Sequence, residues 1–172
     1  YPLAVESLNL SDFDLILSSS SGYAKGVRKR KGATHICYCH TPMRWVWRYE
    51  SYAERECFGG LQRKILPFLL NGLKKWDLRA AAQPDFYIAN SQVVAERIRE
   101  CYGRDSVVIP PPIDVGRFSA DAPDEEFYLL LSRLVPYKRL DLAIDACRRL
   151  DRTLIVIGDG SDRRRLESIA GP

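Results

Sequence analysis

This sequence lacks long apolar runs and has no large excess of either charge. No stretch of it approaches the roughly 18 uncharged residues of a membrane-spanning helix. We therefore expect that any contact with a membrane is made at the membrane surface. The formal net charge is +4, which is too small by itself to indicate a nucleic-acid partner. Fold and function must therefore be inferred from local patterns.

The sequence contains cysteines, but they are not arranged as a metal site or a disulfide framework would require. Cys37 and Cys39 form a C-x-C pair without a second pair nearby, which is not the spacing of a zinc site. The odd total of five also argues against a disulfide framework. We expect reduced thiols, a cytoplasmic location and no metal site. The five are Cys37, Cys39, Cys57, Cys101 and Cys147.

One local basic cluster stands out early in the chain. It lacks the interleaved aromatic residues that single-strand nucleic-acid binders use, so we predict no nucleic-acid partner. Two interpretations stay open: a solvated turn, or a surface that draws the protein to an anionic membrane or a phosphorylated substrate. The cluster consists of Lys25, Arg28, Lys29, Arg30 and Lys31.

Short, nearly continuous apolar runs predict β-strands. Because the runs do not alternate with polar residues, we expect strands that are covered on both faces. Helical patterns lie between them, which predicts βα units and the parallel sheets of a Rossmann-like α/β fold. The runs are 14–18, 34–40, 85–90, 127–132 and 153–158, with a sixth candidate at 106–110.

Two helices have clear sequence limits. An apolar stripe with the helical period runs through 138–150. The segment 91–102 begins with Ser91 as a candidate N-cap and ends at Gly103, a favourable residue just after a helix.

Two other segments are less regular. A longer helical pattern at 61–82 contains Pro67, where we predict a break. The segment 41–55 is aromatic and charged without a clear period, so an irregular helix and a loop both stay open.

A proline-rich stretch divides the sequence. Residues 110–126 begin with three prolines and contain little to bury, which favours a stiff, extended spacer. We therefore predict one domain at 1–112, a linker at 113–126 and part of a second domain at 127–172.

Two cations lie in the turn between a predicted strand and the helix after it. Arg133 and Lys138 follow the run 127–132. Open parallel sheets bind ligands at the carboxyl ends of their strands, where helix N-termini attract anions. A guanidinium and an ammonium there suit a diphosphate. The alternative is that both are solvated surface cations.

The next turn contains Gly158 and Gly160, a G-x-G pattern between a strand and a helix. Such glycines let backbone approach a ligand, but the pattern lacks the third glycine of the dinucleotide fingerprint. A tight strand-to-helix turn explains them equally well.

The first part of the chain has its own polar residues at predicted strand ends. His40 follows the run 34–40 and is a candidate for proton transfer or for contact with a substrate hydroxyl. Arg44, Asn90 and Ser91 are candidate substrate contacts. Local hydrogen bonding by His40 and helix capping by Asn90 and Ser91 remain the alternatives.

Five segments in one order resemble the family 4 glycosyltransferases, retaining sugar-nucleotide transferases with two Rossmann-like domains (the GT-B architecture). The variant CHTPMRW is similar to the branch that contains mannosyltransferases of surface-polysaccharide assembly. The segments are CHTPMRW (39–45), FYIANSQVVAERIRECYG (86–103), VVIPPPIDVGRF (107–118), LLLSRLVPYKRLDLAIDA (129–146) and LIVIGDGSDRRRLE (154–167).

The resemblance implies a role for each candidate. Arg133 and Lys138 would bind the donor diphosphate and stabilise the leaving nucleotide without a metal ion. Gly158 and Gly160 would line the nucleotide side of the donor pocket, and His40 would lie across the interdomain cleft near the transferred sugar. The donor would be GDP-mannose-like or a UDP-sugar, serving as co-substrate with no separate cofactor.

The resemblance also implies an acceptor substrate and the absence of two family motifs from this sequence. A glycan or lipid-linked acceptor would be used, at the inner face of the membrane. The family's Gly-rich loop would precede Tyr1 and its E-x7-E motif would follow Pro172, so we expect an inactive internal fragment. It would cover the second part of the N-terminal domain and the first part of the C-terminal domain. Pro111 and Pro112 stand where many relatives have Asn-Gly.

The sequence leaves one other function open and disfavours a second. A non-catalytic module of the same architecture that binds a phosphorylated ligand remains the alternative. A nicotinamide-dependent oxidoreductase is disfavoured because no strand is followed by the three-glycine turn with a ribose-binding acid in register.

Overall fold

The computed structural model describes residues 1–48, 60–118 and 125–171, with residues 60–67 as backbone only. The described residues form two compact units. One holds those up to Ile113 and the other those from Asp114 onward. Each unit is an α/β structure with a parallel sheet, which confirms the predicted Rossmann-like class.

The first unit is built on four parallel strands that lie side by side in chain order. Each strand coincides with one of the predicted apolar runs, except that β1 extends two serines beyond the run 14–18. Their register sets Ser18 beside Cys37 and Cys37 beside Tyr87. The strands are β1 (Leu15–Ser20), β2 (Thr34–Cys39), β3 (Phe86–Ala89) and β4 (Val107–Val108).

Helices connect these strands, with a 3₁₀ turn at Ala24–Gly26. The helix predicted from Ser91 to Gly103 has both of its expected ends. The Ser91 hydroxyl oxygen accepts a hydrogen bond from the Val94 N–H at 3.4 Å, and Gly103 adopts a left-handed φ of 63°. The helices are α1 (Pro2–Glu6), α2 (Arg44–Trp47), α3 (Gly60–Ala81) and α4 (Gln92–Tyr102).

The predicted break at Pro67 is wrong, because α3 is continuous across it. The second half of α3 buries Leu70, Trp76 and Ala80 against the rest of the unit. That burial fixes the course of the helix and outweighs the local cost of proline. In the segment 41–55, α2 is a single helical turn, and the residues after Arg48 lie outside the described part.

The expectation that the strands are covered on both faces is wrong for the described residues. In β1, Ile16 is buried while Leu15 and Leu17 are 59% and 70% exposed. Helix α4 packs on the buried face through Val94 and Ile98. Strands that follow one another across a sheet are joined by right-handed crossovers, which place all of their helices on one face.

The second unit has two parallel strands, and the same one-sided burial. Its core joins Leu134, Leu140, Ile144 and Leu166, while Leu131 is 74% exposed. Two 3₁₀ turns lie at Val115–Arg117 and Pro136–Lys138. The regular elements are β5 (Phe127–Leu131), α5 (Leu140–Arg149), β6 (Thr153–Ile157) and α6 (Arg163–Ala170).

The cysteines of the described part are free thiols: Cys37, Cys39, Cys101 and Cys147. Burial raises the pKa of Cys37 and raises the pKa of Cys39 to about 12. Both therefore stay protonated in the core and behave as small apolar side chains. Cys57 lies outside the described residues.

Candidate functional site

His40 lies exposed at the carboxyl end of β2, as the sequence predicts. Its Nε2 is 2.8 Å from Oγ of Ser19 on the neighbouring strand β1. The Tyr38 ring meets the imidazole edge-on, with centroids 5.2 Å apart. The imidazole is therefore oriented by two neighbours and still open to solvent.

Sequence reasoning missed Ser19 and Tyr38 as neighbours of His40. The available signal was the serine run that ends β1, since β1 and β2 were both predicted and pair in parallel. Pairing alone does not give the register, and the register decides which serine meets the ring. Nδ1 of His40 makes no hydrogen bond to any residue that the structure describes.

Asn90 and Ser91 lie at the same edge of the sheet, just after β3. The Ser91 hydroxyl donates to Oδ1 of Asn90 at 3.1 Å and accepts the capping hydrogen bond from Val94. Capping accounts for the hydrogen bond that this hydroxyl accepts, and the Asn90 side chain takes the one that it donates. A substrate contact by either residue stays a prediction.

Arg44 begins α2 and is exposed. It borders a pocket of about 220 Å³ beside the end of β2. Arginines from α2 and α4 line this pocket together with Thr41, which directly follows His40. The structure thus brings Arg44 to the same end of the sheet as His40.

A second histidine, which sequence reasoning did not select, is buried in the sheet. His35 on β2 is fully buried, and its Nε2 is 2.8 Å from the Ser18 hydroxyl oxygen. Burial lowers the pKa of His35, the charge of Lys29 lowers it further, and Asp85 opposes them. His35 is therefore held in its neutral form.

This burial predicts a pH-dependent stability. Below the ordinary histidine pKa of about 6.5, the unfolded chain takes up a proton that folded His35 resists, so the free energy of unfolding falls by up to about 1.4 kcal/mol per pH unit. The loss continues until the pH reaches the lowered folded-state pKa. Urea unfolding at pH 7.5, 6.5 and 5.5 measures it.

The other histidine supplies the control. His40→Gln should keep the pH dependence, because His40 is exposed, whereas His35→Gln should flatten it. Asp85 does not interfere in this range: Lys29 lowers its pKa below the usual carboxylate value, so its effect is lost only at lower pH. Equal pH dependence in the parent and His35→Gln would contradict the assignment.

The basic cluster lies only partly at the surface. Lys25 is 1% exposed and pairs with Asp77 inside the unit, so its assignment to a membrane contact is wrong. Three other members have carboxylate partners, which offset much of their charge: Arg28 pairs with Glu6, Lys29 with Asp85 and Arg30 with Asp14.

Among the described helices, none has both the length and the apolar character needed to cross a bilayer.

Arg133 and Lys138 lie exposed in the loop after β5, at the carboxyl edge of the second sheet. Within the described residues neither takes part in an ion pair, whereas Arg139, the cation that follows Lys138, pairs with Asp141 with Nε–Oδ1 at 3.0 Å. No side chain caps the N-terminus of α5. The two cations and the positive end of a helix thus lie together in this loop.

Gly158 and Gly160 are required by a close backbone approach. A Cβ at Gly158 would lie 1.8 Å from the Ser132 carbonyl oxygen, and one at Gly160 would lie 2.2 Å from the Leu134 carbonyl oxygen. The tight-turn interpretation therefore has a direct structural basis. The close approach of the two backbones holds the glycine turn against the loop that carries Arg133 and Lys138.

Backbone hydrogen bonds join the same two loops. The Leu134 N–H donates to the Asp159 carbonyl at 2.9 Å, and the Asp162 N–H donates to the Leu134 carbonyl at 2.9 Å. The two strand-end loops consequently form one structural element. The described residues include no group of three or more His, Cys, Asp or Glu arranged to hold a metal ion.

Comparison with known proteins gives one family. The model of Glycosyltransferase Family 4 matches residues 2–117, which is more than half of the 172 residues. The matched part contains His40 and the whole of the first sheet, while Arg133, Lys138 and both glycines lie beyond it. No curated protein matches the chain.

Proposed function

Because the chain belongs to glycosyltransferase family 4, we propose that it transfers a sugar from a nucleotide-diphosphate donor to a glycan or lipid-linked acceptor. The transfer retains configuration and needs no metal ion. The donor is GDP-mannose-like or a UDP-sugar, and the two units belong to a GT-B architecture of the mannosyltransferase-like branch. One observation carries the donor assignment: the cationic loop after β5.

Charge and position support a diphosphate in that loop. Arg133 and Lys138 are exposed and take part in no ion pair among the described residues, so their charges are available to a ligand. A guanidinium holds two phosphate oxygens in a fork, and an ammonium adds a point charge. The uncapped start of α5 contributes a further positive end.

The glycine turn supplies the second wall of the proposed donor site. Gly158 and Gly160 bring the two loops into backbone contact, which fixes the glycine turn beside the loop that carries Arg133 and Lys138. Breaking the donor bond leaves negative charge on the departing diphosphate. Two fixed cations stabilise that charge, which is the work a metal ion would otherwise do.

His40 is proposed to act on the sugar side. Ser19 and Tyr38 orient its ring, so a substrate hydroxyl needs only to approach the exposed Nδ1. A neutral imidazole accepts a hydrogen bond from such a hydroxyl and positions the sugar for transfer.

The donor site is tested by Arg133→Gln/Lys138→Gln. Each change removes a charge-assisted hydrogen bond worth about 1.5–3 kcal/mol, so binding of GDP or UDP should weaken by about 10²-fold or more. Isothermal titration calorimetry of GDP, GDP-mannose, UDP and UDP-glucose measures the loss and identifies the base.

The control removes two cations at the far end of α5, one in its last residue and one three residues beyond it. Arg149→Gln/Arg152→Gln changes the net charge equally, at exposed positions away from the loop. It should leave nucleotide binding within about twofold of the parent, because solvent and salt screen distant charges. If both double variants lose binding equally, the loop is not a diphosphate site.

A further inference from the structure

The pocket beside the end of β2 is lined by residues with buried polar atoms that make no hydrogen bond to any residue the structure describes. We call it the Arg97 pocket; it is lined by Thr41, Arg44, Trp47, Arg48, Arg97 and Glu100, among others. In the described part of the chain, four buried side-chain atoms lack a hydrogen-bond partner, and two of them, Thr41 Oγ1 and Arg97 Nε, belong to residues that line this pocket. Such atoms are rare in native proteins, and a bound ion or water is one way of satisfying them.

The pocket's charge favours an anion. Three guanidinium groups and one carboxylate, that of Glu100, line it. Arg97 and Glu100 lie three residues apart on α4, yet no ion pair joins them among the described residues. Because Arg44 and Arg48 also make other interactions in the protein, Thr41 and Arg97 are the two groups that an anion would satisfy.

The walls of the pocket are held in place before any ligand binds. Trp47 donates its indole N–H to Asp77 Oδ2 at 2.8 Å and meets the Tyr102 ring edge-on, with centroids 5.8 Å apart. Thr41 directly follows β2, and Arg97 projects from α4 next to buried Ile98. A pocket fixed by a strand end and two packed helices loses little entropy when it binds.

We propose that the Arg97 pocket binds a phosphoryl group. Its volume of about 220 Å³ has room for several waters. A guanidinium and a hydroxyl donor suit the several oxygens of a phosphate. Resting on the function proposed above, we assign this phosphate to the acceptor, since Thr41 adjoins the candidate sugar-side residue His40.

Arg97→Gln tests the site. In calorimetric titrations with inorganic phosphate and with geranyl phosphate, this variant should bind at least about tenfold more weakly than the parent. Arg99→Gln is the matched control: it lies on the same helix and loses the same charge, but Arg99 is exposed and pairs with Asp105. Its affinity should stay within about twofold of the parent. Equal weakening by both variants would overturn the proposal.

A second variant distinguishes loss of the phosphate contact from a defect in folding. Thr41→Val keeps the shape of the side chain and removes the hydroxyl, so phosphate binding should weaken by about three- to tenfold while the melting temperature stays close to that of the parent. Unchanged binding by Thr41→Val would contradict the proposed contact. Binding of neither phosphate by the folded parent would overturn the site as a whole.

The two probes separate the sources of the phosphate. Tighter binding of geranyl phosphate, with the same dependence on Arg97, supports a lipid-linked acceptor. Equal binding of both probes supports the phosphoryl site and overturns its assignment to the acceptor. Arg133→Gln/Lys138→Gln should keep phosphate binding in the Arg97 pocket, so failure of the donor site and failure of this site are distinguishable.

Discussion

Lys25→Met is expected to lower the free energy of unfolding by about 3–5 kcal/mol, because it removes one partner of a buried ion pair. Lys25 is 1% exposed and Asp77 is 0% exposed. The Lys25 ammonium also donates to the Gly22 carbonyl at 2.6 Å. Without it, the Asp77 carboxylate keeps only neutral donors and lacks its counter-charge.

The ion pair is the centre of a wider hydrogen-bond network. Its loss should therefore destabilise the whole of the first unit. Asp77 Oδ2 accepts hydrogen bonds from Trp47 Nε1 at 2.8 Å and from the Tyr102 hydroxyl at 2.9 Å. Burial, followed by the charge of Asp77, raises the pKa of Tyr102, which therefore remains a donor. Helices α2, α3 and α4 meet at this carboxylate.

The effect is measured by urea unfolding with a surface pair as control. Arg30→Met breaks the exposed pair with Asp14 and should cost at most about 1 kcal/mol. The double change Lys25→Met/Asp77→Asn removes both charges and should recover part of the loss. A Lys25→Met protein within about 1 kcal/mol of the parent would show that the pair contributes little.

The second large effect is expected from Gly158→Ala in the other unit. A Cβ at Gly158 would meet the Ser132 carbonyl oxygen at 1.8 Å, and no side-chain rotation relieves contact with backbone. The loops must separate, at the cost of two hydrogen bonds worth about 1 kcal/mol each. The φ of 147° adds about 1–3 kcal/mol for a non-glycine residue. We expect a loss of about 3–5 kcal/mol in total.

Gly103→Ala separates backbone strain from steric contact. Gly103 also has a positive φ, of 63°, but a Cβ there meets nothing within 4 Å, so the change should cost only about 1–2 kcal/mol. Hydrogen exchange at the amides of Leu134 and Asp162 reports the loops directly. Unaltered protection of these amides in Gly158→Ala would contradict the tight approach.

Local signals were sufficient for most of the fold. The six apolar runs predicted all the strands of the described residues, and Ser91 and Gly103 set the ends of α4. Pro67 misled because local propensity was taken alone, whereas burial of Trp76 and its neighbours decides the course of α3. The exposed faces of β1 and β5 were missed because continuous apolar runs do not reveal what covers them.

The candidate site residues also fall into two groups: those that the sequence predicts and those that only the structure reveals. The sequence locates the strand ends, and with them it places His40, Arg133 and Lys138 at sheet edges. Ser19, His35 and Arg97 could not be found, since each matters only through a partner or an unsatisfied atom.

The sequence by itself therefore determined the parallel α/β class, the positions of the strands and the loops that carry polar residues, because apolar periodicity and turn residues act over short stretches of chain. Only the tertiary structure decided which charges are buried. Lys25 stands among surface cations in the sequence yet finds Asp77 fifty-two positions away. Burial depends on packing between distant segments, and a charge without a partner at such a site would be expelled or neutralised.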